Sequence, residues 1–242
     1  MKTLTFIAIT LLSGAVAGTI LAIINQGVVE PYIERAIALE NERAAEQGEM
    51  VNPAELAAYR LWQKGGSIAA GAVLGLSIGA LFGLVFAYGR GALPGSSNVK
   101  KAIVLAGIMW LVLYFVPALK YPANPPAVGD PATINMRQGL YVAMLLVSGL
   151  SALGLAFAYG RVRKTNPAFR VVAPAIYIAV MAAAFFALPA NPDEISAPMD
   201  LVSSFRLASG ATMTMFWLLL GAILGAFWDR TRPHETASIK AA

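Results

Sequence analysis

Few side chains in this sequence can do chemistry, and most of those lie in two short stretches. Residues 121–137 read YPANPPAVGDPATINMR, and residues 188–206 read LPANPDEISAPMDLVSSFR. Each holds the phrase Pro-Ala-Asn-Pro and each closes on an arginine, Arg137 and Arg206. The first supplies oxygen ligands from Asn124, Asp130 and Asn135; the second supplies them from Asn191, Asp193, Glu194 and Asp200. Carboxylate and amide oxygens bind a divalent ion weakly, and transition metals ordinarily want imidazole or thiolate as well. Met136, Met199, Met213 and Met215 add thioethers, a soft supplement. The structural alternative is that proline keeps these turns short and stiff while Asp and Asn satisfy turn backbone. The candidate metal or substrate path is therefore Asn124, Asp130, Arg137, Asn191, Asp193 and Arg206, with the identity of any metal open.

The rest of the chain excludes more than it offers. There is no cysteine, so disulfides, thiolate metal sites and thiol redox chemistry are absent. The single histidine is His234, near the C-terminal end. No hydrolytic triad, phosphate-cradling loop, haem or iron–sulfur ligand set, or nucleotide motif is present. The sequence thus points away from an enzyme and implies no resident cofactor.

What positions the two stretches is a membrane. The 242 residues are 58% apolar and 13% charged, with a mean hydropathy of +0.66. Charge-free windows recur at the ~20-residue length that crosses a hydrocarbon layer. They predict an all-α integral membrane protein with six spans, at about 4–24, 66–88, 102–119, 138–159, 171–188 and 207–228. With the N-terminus inside, the inner segments carry eleven basic and two acidic residues, the outer segments seven and eleven. Positive charge on the cytoplasmic side sets orientation, so the prediction is N-in and C-in, with a cytoplasmic tail at 229–242. The excess of basic residues then reflects topology and contact with lipid headgroups, not nucleic acid. The start MKTLTFIAITLLSGAVAG has the pattern of a cleavable signal, which would leave five spans. Apolar residues continuing to Ile24 favour an uncleaved anchor. No ionisable residue lies near the centre of any span, so the usual intramembrane marker of a proton or ion path is missing.

The spans show internal repetition. One ends in Phe86-Ala87-Tyr88-Gly89-Arg90, another in Phe157-Ala158-Tyr159-Gly160-Arg161, and the last in Ala226-Phe227-Trp228-Asp229-Arg230. Tyr88 to Tyr159 is 71 positions and Tyr159 to Trp228 is 69. Three helical hairpins of the same orientation, 1–2, 3–4 and 5–6, account for this, with Lys64, Arg137 and Arg206 at the outer mouths of spans two, four and six. The first hairpin carries an outer insertion, 25–65, read as a charged helix ending at Gly48 and a short helix from Asn52-Pro53. It is a solvated cap, a docking surface or a cation-attracting vestibule. Span two sets Gly71, Gly75, Gly79 and Gly83 on one face, and span one has Gly14 and Gly18. Bare faces of this kind permit close helix packing or line a narrow path.

Two passages resemble a known family. KYPANPPAVGDPATINMRQGLY at 120–141, followed by a span ending in FAYGR, is similar to the cobalt transporter subunit CbtA, as is LPANPDEISAPMDLVSSFRLASG at 188–210. The resemblance covers roughly residues 1–228. It implies a membrane subunit of a cobalt transporter that works with a small one-span partner, CbtB, which carries histidine; the leading reading is a multi-pass cell-membrane subunit of a permease for a divalent metal, cobalt or nickel. Such a partner would supply the imidazole this chain lacks. The resemblance transfers no ligand set residue by residue. The alternative is a non-transporting scaffold subunit of a membrane complex, and a third reading is a carrier for another small solute.

Overall fold

The computed structural model describes residues 2–48, 52–126, 128–162 and 165–233. Among these residues the regular structure is entirely helical, in seven elements: α1 (Thr3–Val28), α2 (Glu30–Glu46), α3 (Pro53–Gly89), α4 (Asn98–Lys120), α5 (Pro131–Val162), α6 (Phe169–Ala187) and α7 (Met199–Thr231). All but α2 are long and apolar enough to span a bilayer. The chain is a multi-pass helical membrane protein. His234, Glu235, Lys240, Arg163 and Lys164 lie outside the described residues.

The helices outrun the hydropathy windows, and α3 does so most. Its 37 residues extend about 55 Å at 1.5 Å per residue, well beyond a hydrocarbon core of about 30 Å. The short helix expected from Asn52-Pro53 and the span expected from 66 are one helix. Its start follows the sequence: Asn52 Oδ1 accepts from Ala54 N at 3.0 Å, and Pro53 occupies the first turn. Gly65 and Gly66 do not break it. At the other side of the connection, Gly48 takes φ +81° just past the end of α2, the left-handed conformation that glycine adopts without cost.

The chain forms two compact units, residues 1–107 with 207–242, and residues 108–206. The division crosses α4 and α7, so it does not coincide with the three hairpins read from the sequence. In the first unit α1 and α3 pack through their glycines. A Cβ on Gly14 would stand 2.9 Å from Gly79 Cα, and one on Gly18 would stand 2.8 Å from Gly75 Cα. A Cβ on Gly79 would meet Gly14 Cα at 2.7 Å, and one on Gly83 would meet Thr10 Cβ at 3.0 Å; Gly71 faces Gly18 and Ala22. In lipid there is no hydrophobic drive between helices, so this close backbone approach is what favours the pair. Gly225 of α7 likewise lies against Val99 of α4, and Asp229 accepts from Asn98 N at 3.3 Å and Val99 N at 3.4 Å, capping that helix. Trp228 is buried between Phe6 and Phe86, edge to face with each, whereas Tyr88, its counterpart in the repeated phrase, is 91% exposed.

In the second unit α5 and α6 pack around Tyr121, Met144 and Met181. A smaller cluster joins Val128, Ala197 and Val202, from the loops that follow α4 and α6 and the start of α7. The Tyr121 hydroxyl donates to Pro189 O at 2.6 Å, which fixes the end of α4 against the loop that follows α6.

Candidate functional site

Local backbone chemistry shapes the two loops of the second unit that follow α4 and α6. Asp130 is extended and its Oδ1 accepts from Ala132 N at 2.8 Å, capping the 3-10 turn Pro131–Thr133 that opens α5. Asn191 Oδ1 accepts from Asp193 N at 3.2 Å, a side-chain turn that aims the Asp193 carboxylate. Gly129 takes φ +97°, and a Cβ there would also stand 2.8 Å from Arg137 Nη1. Both its conformation and its neighbours require glycine.

These loops hold one another. Arg137, at the mouth of α5, forms an ion pair with Asp193 of the other loop, Nε to Oδ2 at 3.0 Å. The same Oδ2 accepts from Asp130 N at 3.0 Å and from Thr133 Oγ1 at 2.7 Å. Arg137 also donates to Thr133 Oγ1 at 3.1 Å, Val128 O at 3.3 Å and Asp130 O at 3.2 Å. Arg206, in α7 after the second loop, reaches back to the first. Its Nη2 donates to Asn124 Oδ1 at 2.6 Å and its Nε to Ala123 O at 3.2 Å. Each arginine that closes one Pro-Ala-Asn-Pro phrase is thus bound to the other phrase.

The six candidate residues resolve into two linked groups, Asp130, Arg137, Asn191 and Asp193 in one, Asn124 and Arg206 in the other. All six are engaged in capping or bridging. The Asp193 side chain is 7% exposed and its partner Arg137 23%, so the pair is largely removed from water and its attraction little screened. Among the described residues no group of three or more His, Cys, Asp or Glu is placed to hold a metal ion. The arrangement is a latch: it neutralises one carboxylate and ties two loops, and opening it would free the Asp193 and Asn124 oxygens together. Thr133 and Gly129 belong to it as well. Asp-Pro-Ala-Thr was a visible turn signal for the first; the positive φ of the second emerges only with the fold.

The other predicted mouth cation, Lys64, sits in the first unit, where it pairs with Glu34 and lies 3.9 Å from Glu30 Oε1, while Arg60 pairs with Glu30. Lys64 holds the Glu34 carboxyl below its ordinary range, chiefly by its hydrogen bond.

No curated protein and no solved structure matches the chain. Residues 3–229 match the family model described as probable cobalt transporter subunit (CbtA). Six membrane-length helices and a family match over nearly the whole chain agree, and the chain belongs to the CbtA family of probable cobalt transporter subunits.

Proposed function

We propose that this chain is a membrane subunit of a divalent-metal transporter in the cell membrane, with cobalt as cargo and no resident cofactor. The observation that carries the reading is the family match over residues 3–229. The charge asymmetry of the connecting segments supports an N-in, C-in orientation, which would put the latch on the outer face. Three same-direction hairpins account for the spacing of the repeated phrases. A hydrated cation arriving there would compete with Arg137 for Asp193 and with Arg206 for Asn124, so entry and loop opening would be one event. Transition metals want softer ligands than these oxygens, and a small one-span partner bearing histidine would supply them.

The test is cobalt accumulation in cells that express the chain with its partner. Arg137→Ala and Asp193→Ala should each lower accumulation several-fold at equal membrane abundance. Accumulation at the wild-type level in both would sink the reading. One observation favours a second role, a scaffold subunit that does not itself conduct: the tight glycine packing of α1 on α3, with backbone filling the seam. A stable complex whose loss leaves metal accumulation unchanged would favour it.

A further inference from the structure

In the second unit α4 departs from regular helix geometry at membrane depth, and the departure leaves a backbone oxygen without a main-chain partner. Residues Leu111–Phe115 of α4 form a π segment, in which Val116 N donates to Leu111 O. Val112 O then has no donor in either register. Its α partner would be Val116, whose N–H is taken; its π partner would be Pro117, which has none. Such an oxygen in a bilayer costs several kcal/mol unless something meets it.

Side chains from two other helices meet it. Ser148 of α5 donates from Oγ to Val112 O at 2.5 Å, and Tyr177 of α6 lies with its hydroxyl 2.7 Å from Ser148 Oγ. Because the Ser148 proton goes to the carbonyl, the Tyr177 proton goes to Ser148. Ser148 is fully buried, Val112 nearly so, and Tyr177 half-buried.

The balance of donors and acceptors is uneven. Both hydroxyl protons are committed within the cluster, while the carbonyl, Ser148 and Tyr177 oxygens all keep spare lone pairs. Three neutral, hard oxygens from three helices thus present acceptor capacity and no donor. An anion is disfavoured there, and a divalent ion would lack the carboxylate charge that offsets its dehydration. A monovalent cation is the ligand such oxygens suit, as where broken membrane helices coordinate sodium through freed carbonyls.

We propose that Val112 O, Ser148 Oγ and Tyr177 Oη form a binding site for a sodium-like monovalent cation. It is separate from the outer latch, and its occupancy does not depend on cobalt being the cargo.

The experiment is equilibrium binding of ²²Na⁺ to the purified full chain in nanodiscs, with choline replacing sodium as the background salt. Wild type should bind saturably, and Ser148→Ala and Tyr177→Phe should each weaken binding at least tenfold. Pro117→Ala returns an N–H to Val112 O and should weaken it as well. Tyr177→Phe removes one oxygen and no volume from the packing, so it keeps the test valid if Ser148→Ala fails to fold. Absence of saturable binding by wild type overturns the proposal. So does wild-type affinity in Tyr177→Phe and Pro117→Ala, which would mean the hydroxyls serve only to satisfy the carbonyl.

Discussion

The Arg137–Asp193 pair should be the most costly polar contact to break in the second unit. Asp193 Oδ2 serves three groups at once: Arg137 Nε, Asp130 N and Thr133 Oγ1. Asp193→Ala deletes that acceptor and leaves an arginine whose side chain is only 23% exposed. Truncating one member of a buried pair costs about 3–5 kcal/mol. Arg137 keeps its bonds to Val128 O and Asp130 O, which lowers the expected loss to about 2–4 kcal/mol. Asp193→Asn retains an oxygen for Asp130 N and Thr133 and loses only the charge, so it should cost about 1–2 kcal/mol. The assay is unfolding of the purified protein in mixed micelles as denaturing detergent is raised. A double-mutant cycle with Arg137→Ala should give a coupling of about 2 kcal/mol. Additive single and double variants, or an Asp193→Ala protein as stable as wild type, would refute the latch.

Two further outcomes follow from the first unit. Gly75→Leu should weaken the α1–α3 seam by about 1–3 kcal/mol, because a Cβ at 75 would already stand 2.9 Å from Gly18 Cα; an unchanged unfolding midpoint in the same micelles would refute that packing. Glu34 gives a pH dependence. Its carboxyl is held below the ordinary value, chiefly by the hydrogen bond from Lys64, so its support for α2 is present above the ordinary carboxylate range and is lost as pH falls through the lower folded value. The side chain is 53% exposed, so the effect should be small and salt-sensitive. Amide protection in α2, corrected for the intrinsic pH dependence of exchange, should fall in acid in wild type and lose part of that response in Lys64→Ala.

The sequence made legible whatever depends on neighbours along the chain. Six apolar windows locate the spans, four glycines at every fourth position mark the face that α3 turns to α1, and Asn52-Pro53 and Gly48 mark helix ends. What it hid depends on distant partners. Arg206 and Asn124 are 82 positions apart, and Arg137 and Asp193 are 56; nothing in either loop alone says that they meet. Helix ends were read short because hydropathy registers only the part that crosses lipid, while α3 continues through Tyr59, Arg60 and Lys64. Pro117 was visible inside a span, but which carbonyl it strands depends on whether the turn closes in α or π register. Ser148 and Tyr177, two ordinary residues in apolar runs, matter only once that oxygen is placed.

Of the differences between the two Pro-Ala-Asn-Pro phrases, the one directly after the shared motif sets the character of the latch. Aligned on Pro-Ala-Asn-Pro, the first continues with Pro126 where the second has Asp193. Arg137 therefore finds a carboxylate in the opposing loop, whereas Arg206 finds the neutral amide of Asn124 and the carbonyl of Ala123. A charge–charge pair with further donors on the same oxygen is harder to open than a charged donor on neutral acceptors. The two phrases thus make a clasp with a strong half and a weak half. Arg206→Ala should therefore destabilise the protein less than Asp193→Ala in the same micelles, and an equal or larger loss would refute the ranking.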